Sequence, residues 1–436
     1  MTSLRNVSLF ALVLGLIALV GWLQGANVAL GILNLGLVSA IMALGVNIQW
    51  GYAGLLNVGV MGFAALGGLA GVLVAVPAVP RAWDAGGPSI LVAMAIGLAT
   101  IAGAVLVWSR MRRGRAPIVA AILIGGFVLF RATLDPAVSA VERVDAALTG
   151  YLGGLGLPIL LAWIVGGAVA ALVAWAIGKI TLGLRSDYLA IATLGISEII
   201  VAVLKNEDWL ARGVKNVTGL PRPVPYEVDL QAENWVRDLA YDWNMTLADA
   251  SAVVVKLSYT ALFLAVLVIV LFLAERALRS PWGRMMRAIR DNEVAAEAMG
   301  KDVTARHLQV FILGGAVIGI AGAMLTTLDG QFTPASYQPL RFTFLIWVMV
   351  IVGGSGNNWG AVLGGLLIWL CWIEAEPVGI WLVETLTSVL EPGNPIREHF
   401  RDNAAFMRLT TMGLILLVTL RFAPRGLIPE RRHSRG

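Results

Sequence analysis

Long apolar blocks alternate with short polar ones along the chain. Blocks of spanning length lie at roughly 8–24, 27–48, 58–79, 89–108, 116–134, 157–178, 186–204, 256–274, 308–328, 341–354, 359–374 and 406–422. They predict an all-α, polytopic helical membrane bundle of about 10–12 spans. Runs 341–354 and 359–374 are short and divided by Gly-rich residues, so one broken or re-entrant feature is as open as two helices. The helical pair 89–134, joined by the basic turn RMRRGR, reads as a peripheral insertion. The longest polar stretch, 205–256, exceeds an ordinary structureless loop, so local folding is expected there. Its Trp209, Trp235, Tyr241 and Trp243 suit either the headgroup level or a partner.

A charged, helix-prone island, 279–307, stands between two apolar runs and reads RSPWGRMMRAIRDNEVAAEAMGKDVTARH. It must lie outside lipid while tied to it at both ends. Ser280 is a good N-cap, Pro281 suits a first helical position, and Arg287 can pair with Asp291 at i,i+4. Asn292 can cap a second helix, Glu293 to Met299, closed by Gly300 in the left-handed conformation. That helix is only about 10 Å long. Glu293 and Glu297 repel at i,i+4 unless a basic group is near. On local chemistry alone, an ordinary loop is the simpler reading.

Composition agrees with the spans: 58% of residues are hydrophobic, 14% are charged, and the mean hydropathy is +0.81. No basic block with interleaved aromatics marks a nucleic-acid site. The single Cys371 offers neither a disulfide framework nor a metal site, and His307, His399 and His433 are placed outside the spans, which leaves no buried metal triad. No G-x-x-x-x-G-K-[ST] run exists, so the chain cannot cradle ATP phosphates in the P-loop manner. Arg5 and the apolar run Leu9 to Leu23 could pass for a signal peptide, but no small-x-small site follows; the run reads as a retained span.

Basic residues set the orientation. Seven Lys or Arg fall between Arg276 and Arg306, and others cluster at Arg110, Arg112, Arg113 and Arg115, at Lys179 and Arg185, and from Arg421 to Arg435. Placing these segments with Arg5 inside puts roughly nineteen basic residues in against thirteen out, so both termini and the island are expected in the cytoplasm.

Three elements inside the apolar pattern carry candidate chemistry. Gly51 to Gly68, GYAGLLNVGVMGFAALGG, and Gly353 to Gly365, GGSGNNWGAVLGG, cluster a residue that weakens a helix by about 1 kcal/mol per interior site. A break lining a pathway fits, and so does close helix packing through Gly67 and Gly71, Gly315 and Gly319, or Gly360 and Gly364. The third, Ser186 to Asn206, places Thr193 and Ser197 on one face with Glu198 close by. A carboxylate there costs on the order of 3 kcal/mol unless partnered, so Glu198 is expected to face the bundle, as an interhelix hydrogen bond or as a pathway or gating group.

The string GRMMRAIRDNEVAAEAMGKDVTARHLQVFILGGAVIGIAGAM closely resembles the coupling loop and following helix of permease subunits of the branched-chain amino acid class of bacterial ABC importers, the LivM-like family. SDYLAIATLGISEI resembles the family's Gly-Asp-Tyr-Leu-Ala-Ile stretch, and RFAPRGL its Phe-x-Pro-x-Gly-Leu terminus. By this resemblance Arg290, Asn292, Glu293, Ala295, Ala296, Glu297 and Gly300 form the coupling segment that docks in a cleft of a separate ATPase. Gly54, Asn57, Gly59, Gly354 and Gly356 match stretches that line the translocation region, joined there by Thr193, Ser197 and Glu198. Asn57 stands where a Ser is common and Val60 where a His is common, which puts the substrate in doubt. The resemblance implies an inner-membrane permease subunit for branched-chain or other hydrophobic amino acids that binds no cofactor itself. ATP and Mg would sit on two partner ATPase subunits, beside a homologous second permease subunit, a periplasmic substrate-binding protein and membrane lipid. Urea or short-chain amide import is the alternative, and a stand-alone secondary transporter or channel the different class.

Overall fold

The computed structural model describes residues 4–111, 114–145, 149–184, 186–388, 394–403 and 406–430. Arg112, Arg113, Arg185 and the tail beyond Glu430 lie outside them. The chain opens with α1 (Leu4–Gln24) and α2 (Ala26–Val46), whose last turn loosens into a π-helical turn, Asn47–Gly51. After an extended stretch come α3 (Val60–Ala75), the hairpin of α4 (Pro80–Arg110) and α5 (Arg115–Arg143), then α6 (Ile159–Thr181) and α7 (Ser186–Asn206). Short helices α8 (Asp208–Ala211), α9 (Glu227–Ala232) and α10 (Asn234–Asp242) fold the polar segment before α11 (Leu247–Arg279). Next come α12 (Pro281–Asp291), α13 (Glu293–Ala298), α14 (Val303–Asp329), α15 (Pro339–Gly353), α16 (Asn358–Leu386), α17 (Pro395–Asp402) and α18 (Met407–Phe422).

Among the described residues nine helices are long and apolar enough to cross a membrane, and α3 and α15 are shorter apolar helices. Several outrun their apolar blocks, because a helix continues through its first charged turns. α11, at 33 residues, is about 50 Å long and carries the chain well past a bilayer of about 30 Å. The runs 341–354 and 359–374 are two helices, α15 and α16, joined by a tight turn, and no re-entrant segment is needed there. His307, expected outside the spans, lies buried in the second turn of α14.

Small residues set the centre. A Cβ at Gly67 would overlap the Gly319 carbonyl, and one at Gly322 the Ala64 carbonyl, so α3 and α14 touch backbone to backbone. Such contact replaces the hydrophobic drive that lipid cannot supply. The α4–α5 hairpin stands outside this centre with Leu98, Ile101, Val105, Ile124, Phe127 and Val128 exposed. Trp209 is buried among Ala82, Ile90, Leu134 and Val141 and ties the polar segment to that hairpin.

The two ends of the bundle differ. At one end Arg5 donates to the Leu427 carbonyl (2.9 Å), and Leu427 and Ile428 donate to Val352 and Gly353 (both 2.8 Å), so the first and last described stretches meet beside α12. At the opposite end Val217–Thr218 (β1) pairs antiparallel with Gln331–Phe332 (β2), and Leu220 donates to the Gly330 carbonyl (3.1 Å). The polar segment is thereby folded over the far end of α14.

Candidate coupling site and translocation region

The island forms from its own local chemistry. Ser280 Oγ accepts from the Gly283 amide (3.4 Å), Pro281 takes the first turn of α12, and Asn292 Oδ1 accepts from the Ala295 amide (2.9 Å). Gly300, at φ +76°, closes α13. α12 buries Gly283, Met286 and Ile289, while Asp302 caps α14 through the Ala305 amide (2.9 Å). The expected Arg287–Asp291 pair is absent: Arg287 donates to the Leu278 carbonyl (3.3 Å), and Asp291 is met by Arg290 (3.4 Å).

α13 projects from the bundle. Glu293, Ala295, Glu297 and Gly300 are exposed, but Ala296 is buried against its own chain and cannot also meet a partner. Two apolar side chains do stand free, Val294 at 76% and Met299 at 80% exposure. Sequence reasoning passed over both, although an apolar residue directly after Glu293 and another just past the end of the six-residue helix were a visible signal.

Arg290 roots this projection in the core. Its Nη1 donates to the Gly51 carbonyl and its Nη2 to Glu430 Oε2 (2.9 Å), with both side chains about a quarter exposed. Gly356 lies against the same pair, where a Cβ would sit 3.0 Å from Glu430 Oε2 and 3.2 Å from Arg290 Nη1. Its amide donates to Asn47 Oδ1 (2.9 Å), and Asn47 Nδ2 donates to Asn358 Oδ1 (3.0 Å). Asn358 Nδ2 in turn donates to Glu275 Oε1 (3.2 Å), and Asn357 Nδ2 to the Pro429 carbonyl (3.1 Å). One polar node therefore joins α12, the end of α2, the α15–α16 turn, α11 and the C-terminal tail. Asn47, Asn358, Glu275 and Glu430 were not singled out from sequence, although Asn47 and Asn358 interrupt apolar stretches.

The break after Gly51 is held by side chains. Gln49 Nε2 donates to the Phe311 carbonyl (2.8 Å), and Asn57 Nδ2 donates to Gln49 Oε1 (2.8 Å). Asn57 Oδ1 accepts from the Gly59 amide (2.8 Å), and its carbonyl accepts from Trp347 Nε1 (3.0 Å). The Val58 amide donates to Thr193 Oγ1 (3.0 Å). Asn57, Gly59, Thr193, Ser197, Gly354 and Gly356 are all buried inside the chain, so in this conformation they shape the break from within rather than face an open path. Gly54 and Glu198 are exposed. Glu198 thus differs from the expectation that it faces its own bundle. It lies on an outward stripe of α7 with Tyr188, Ile191, Gly195 and Ala202.

These features define a multi-pass helical membrane domain, with a short projecting helix wired to a break in its core. The family described as branched-chain amino acid transport system / permease component matches residues 28–135 and 132–375, and the chain belongs to it. Over 297 residues it is 28% identical to the high-affinity branched-chain amino acid transport system permease protein LivM of Salmonella typhimurium, covering 67% of this chain and 62% of that one. Over the same length it is 27% identical to the probable LivM permease of Methanocaldococcus jannaschii, covering 68% and 74%. A shorter stretch of 110 residues is 33% identical to the probable LivH permease of that archaeon, covering 24% and 34%. The chain thus spans under two thirds of the length of the Salmonella relative. No solved structure matches it.

Proposed function

We propose that this chain is a permease subunit of an ATP-driven ABC importer for branched-chain or other hydrophobic amino acids in the bacterial inner membrane. The carrying observation is the wiring of Arg290: the exposed α13 follows directly on α12, whose Arg290 is held by Gly51 and Glu430 beside the turn at Gly356. A force applied to α13 therefore reaches the break directly. Of the two ABC ATPase subunits carrying ATP and Mg, one receives Glu293, Val294, Glu297 and Met299 in a cleft. Ala296 and the Asn292 cap hold that helix in shape from behind. Both termini lie with it in the cytoplasm, and the folded segment 205–256 faces a periplasmic substrate-binding protein.

The outward stripe around Glu198 is covered by a homologous second permease subunit. A carboxylate left to lipid at that depth costs on the order of 3 kcal/mol, so the stripe needs a protein or aqueous neighbour. In this reading Glu198 lines a shared path, with Gly54 at its inner end. A stand-alone ion-coupled transporter fits less well, since Glu198 pairs with no basic side chain among the described residues. The test is uptake of radiolabelled leucine by the complete complex in proteoliposomes, with ATP inside and binding protein outside. ATP-dependent leucine accumulation supports the reading, while uptake of urea alone, or uptake by this chain alone, overturns it.

A further inference from the structure

The structure holds a cavity of about 200 Å³ between α2, α14, α15 and α16, away from the coupling node. That exceeds the engineered apolar cavity of about 150 Å³ that accepts a benzene molecule. Its walls are apolar, with Met42, Leu325, Leu345 and Met349 among them. Met61 also lines it, two residues beyond Gly59, so the cavity ends where the break gives way to α3.

Its polar side chains differ in charge and in pairing. Asp329 is the one charged side chain in the lining, is itself exposed, and enters no ion pair among the described residues. Two of the lining residues carry buried polar atoms, Thr333 Oγ1 and Trp369 Nε1, that have no hydrogen-bond partner among the described residues. Buried groups of this kind are costly unless something pairs with them. Burial holds the Tyr337 hydroxyl well above its usual range, and Tyr337 shares a hydrogen bond with Thr326 (2.8 Å), so it adds no second charge. A carboxylate without an ion-pair partner favours a cation or zwitterion and disfavours an anion.

We infer that this cavity is a resting site for one hydrophobic α-amino acid, its ammonium at Asp329 and its side chain among the methionines and leucines. The inference rests on the amino acid import reading and adds to it a site within this subunit, on the outer side of the break that Arg290 holds. The same chemistry, an ammonium beside an apolar body, also belongs to an aminophospholipid, so the experiment must separate the two.

The experiment measures radiolabelled leucine binding to the whole complex in nanodiscs, without nucleotide or binding protein. It uses discs of phosphatidylcholine and, separately, discs containing phosphatidylethanolamine. Saturable binding in both is expected, displaced by isoamylamine but not by 4-methylpentanoate, and weakened by about tenfold in Asp329→Asn, the loss expected for one charge-assisted contact. Leu345→Trp, which fills the cavity, should abolish binding while the subunits still co-purify. Binding unchanged in both variants, or an occupant displaced only by phosphatidylethanolamine, overturns the inference. Wild-type uptake tells the two failures apart: ATP-driven leucine import with no cavity-dependent binding sinks this site alone, and absence of import sinks the reading beneath it.

Discussion

Exchanging Arg290 for lysine keeps the charge but removes the planar fork that reaches Gly51 and Glu430 together. R290K is expected to assemble normally while leucine carried per ATP hydrolysed falls roughly tenfold, because the charge-assisted pair is lost and the projection slips on the core. An unchanged ratio would remove Arg290 from the coupling path. Gly356, at φ +77° and in contact with the same pair, gives a second check. Gly356→Ala should destabilise the purified complex by roughly 1–2 kcal/mol through its backbone alone, read as a lower thermal unfolding midpoint. A midpoint unmoved by this change would mean that the turn is not as tightly held as its contacts indicate. Cap residues such as Ser280, Asn292 and Gly300 were legible because each acts within four residues. Arg290 was legible only as part of a motif, since its partners lie 239 and 140 residues away.

Among the elements, α13 is short enough to be read almost letter by letter, and its caps fall where local chemistry puts them. Which side it shows was not legible: Ala296 turned inward, while Val294 and Met299 turned out. Docking of such a surface draws on apolar anchors as well as charge. Glu293→Ala with Glu297→Ala should weaken retention of the ATPase subunits about five- to tenfold, and Val294→Asp with Met299→Asp should weaken it further, both without loss of the folded membrane domain. Co-purification measures it; retention unaffected by either pair would remove α13 from the interface. Gly-rich stretches were harder. Their composition left a pathway break and tight packing equally open; Gly67 and Gly322 press α3 and α14 together, while the chain between Ala53 and Val60 is unwound.

At the scale of the whole molecule, apolar blocks alone sufficed to predict a polytopic helical bundle, because nothing soluble can bury so much. The facing of each helix was hidden, since helices apolar on all sides carry little directional signal. That is why Glu198 was expected inside and stands outside, on a stripe with Gly195 and Ala202. Gly195, where a Cβ would meet nothing within 4 Å, gives a handle on what covers that stripe. A cysteine there should cross-link to the second permease subunit within the complex, and failure to cross-link would leave the stripe to lipid or to another neighbour. The pairing of Val217 with Phe332 was likewise beyond sequence reasoning, because two residues per strand carry no pattern.

The most direct measurement is leucine transport by the complete complex in sealed proteoliposomes, comparing wild type with the Glu293→Ala, Glu297→Ala double variant. Wild type should accumulate leucine only when ATP is trapped inside and the binding protein is outside, and the double variant should lose most of that accumulation with its ATPase subunits. Leucine entering through this chain alone, or entering equally well through the double variant, would contradict a permease driven through α13.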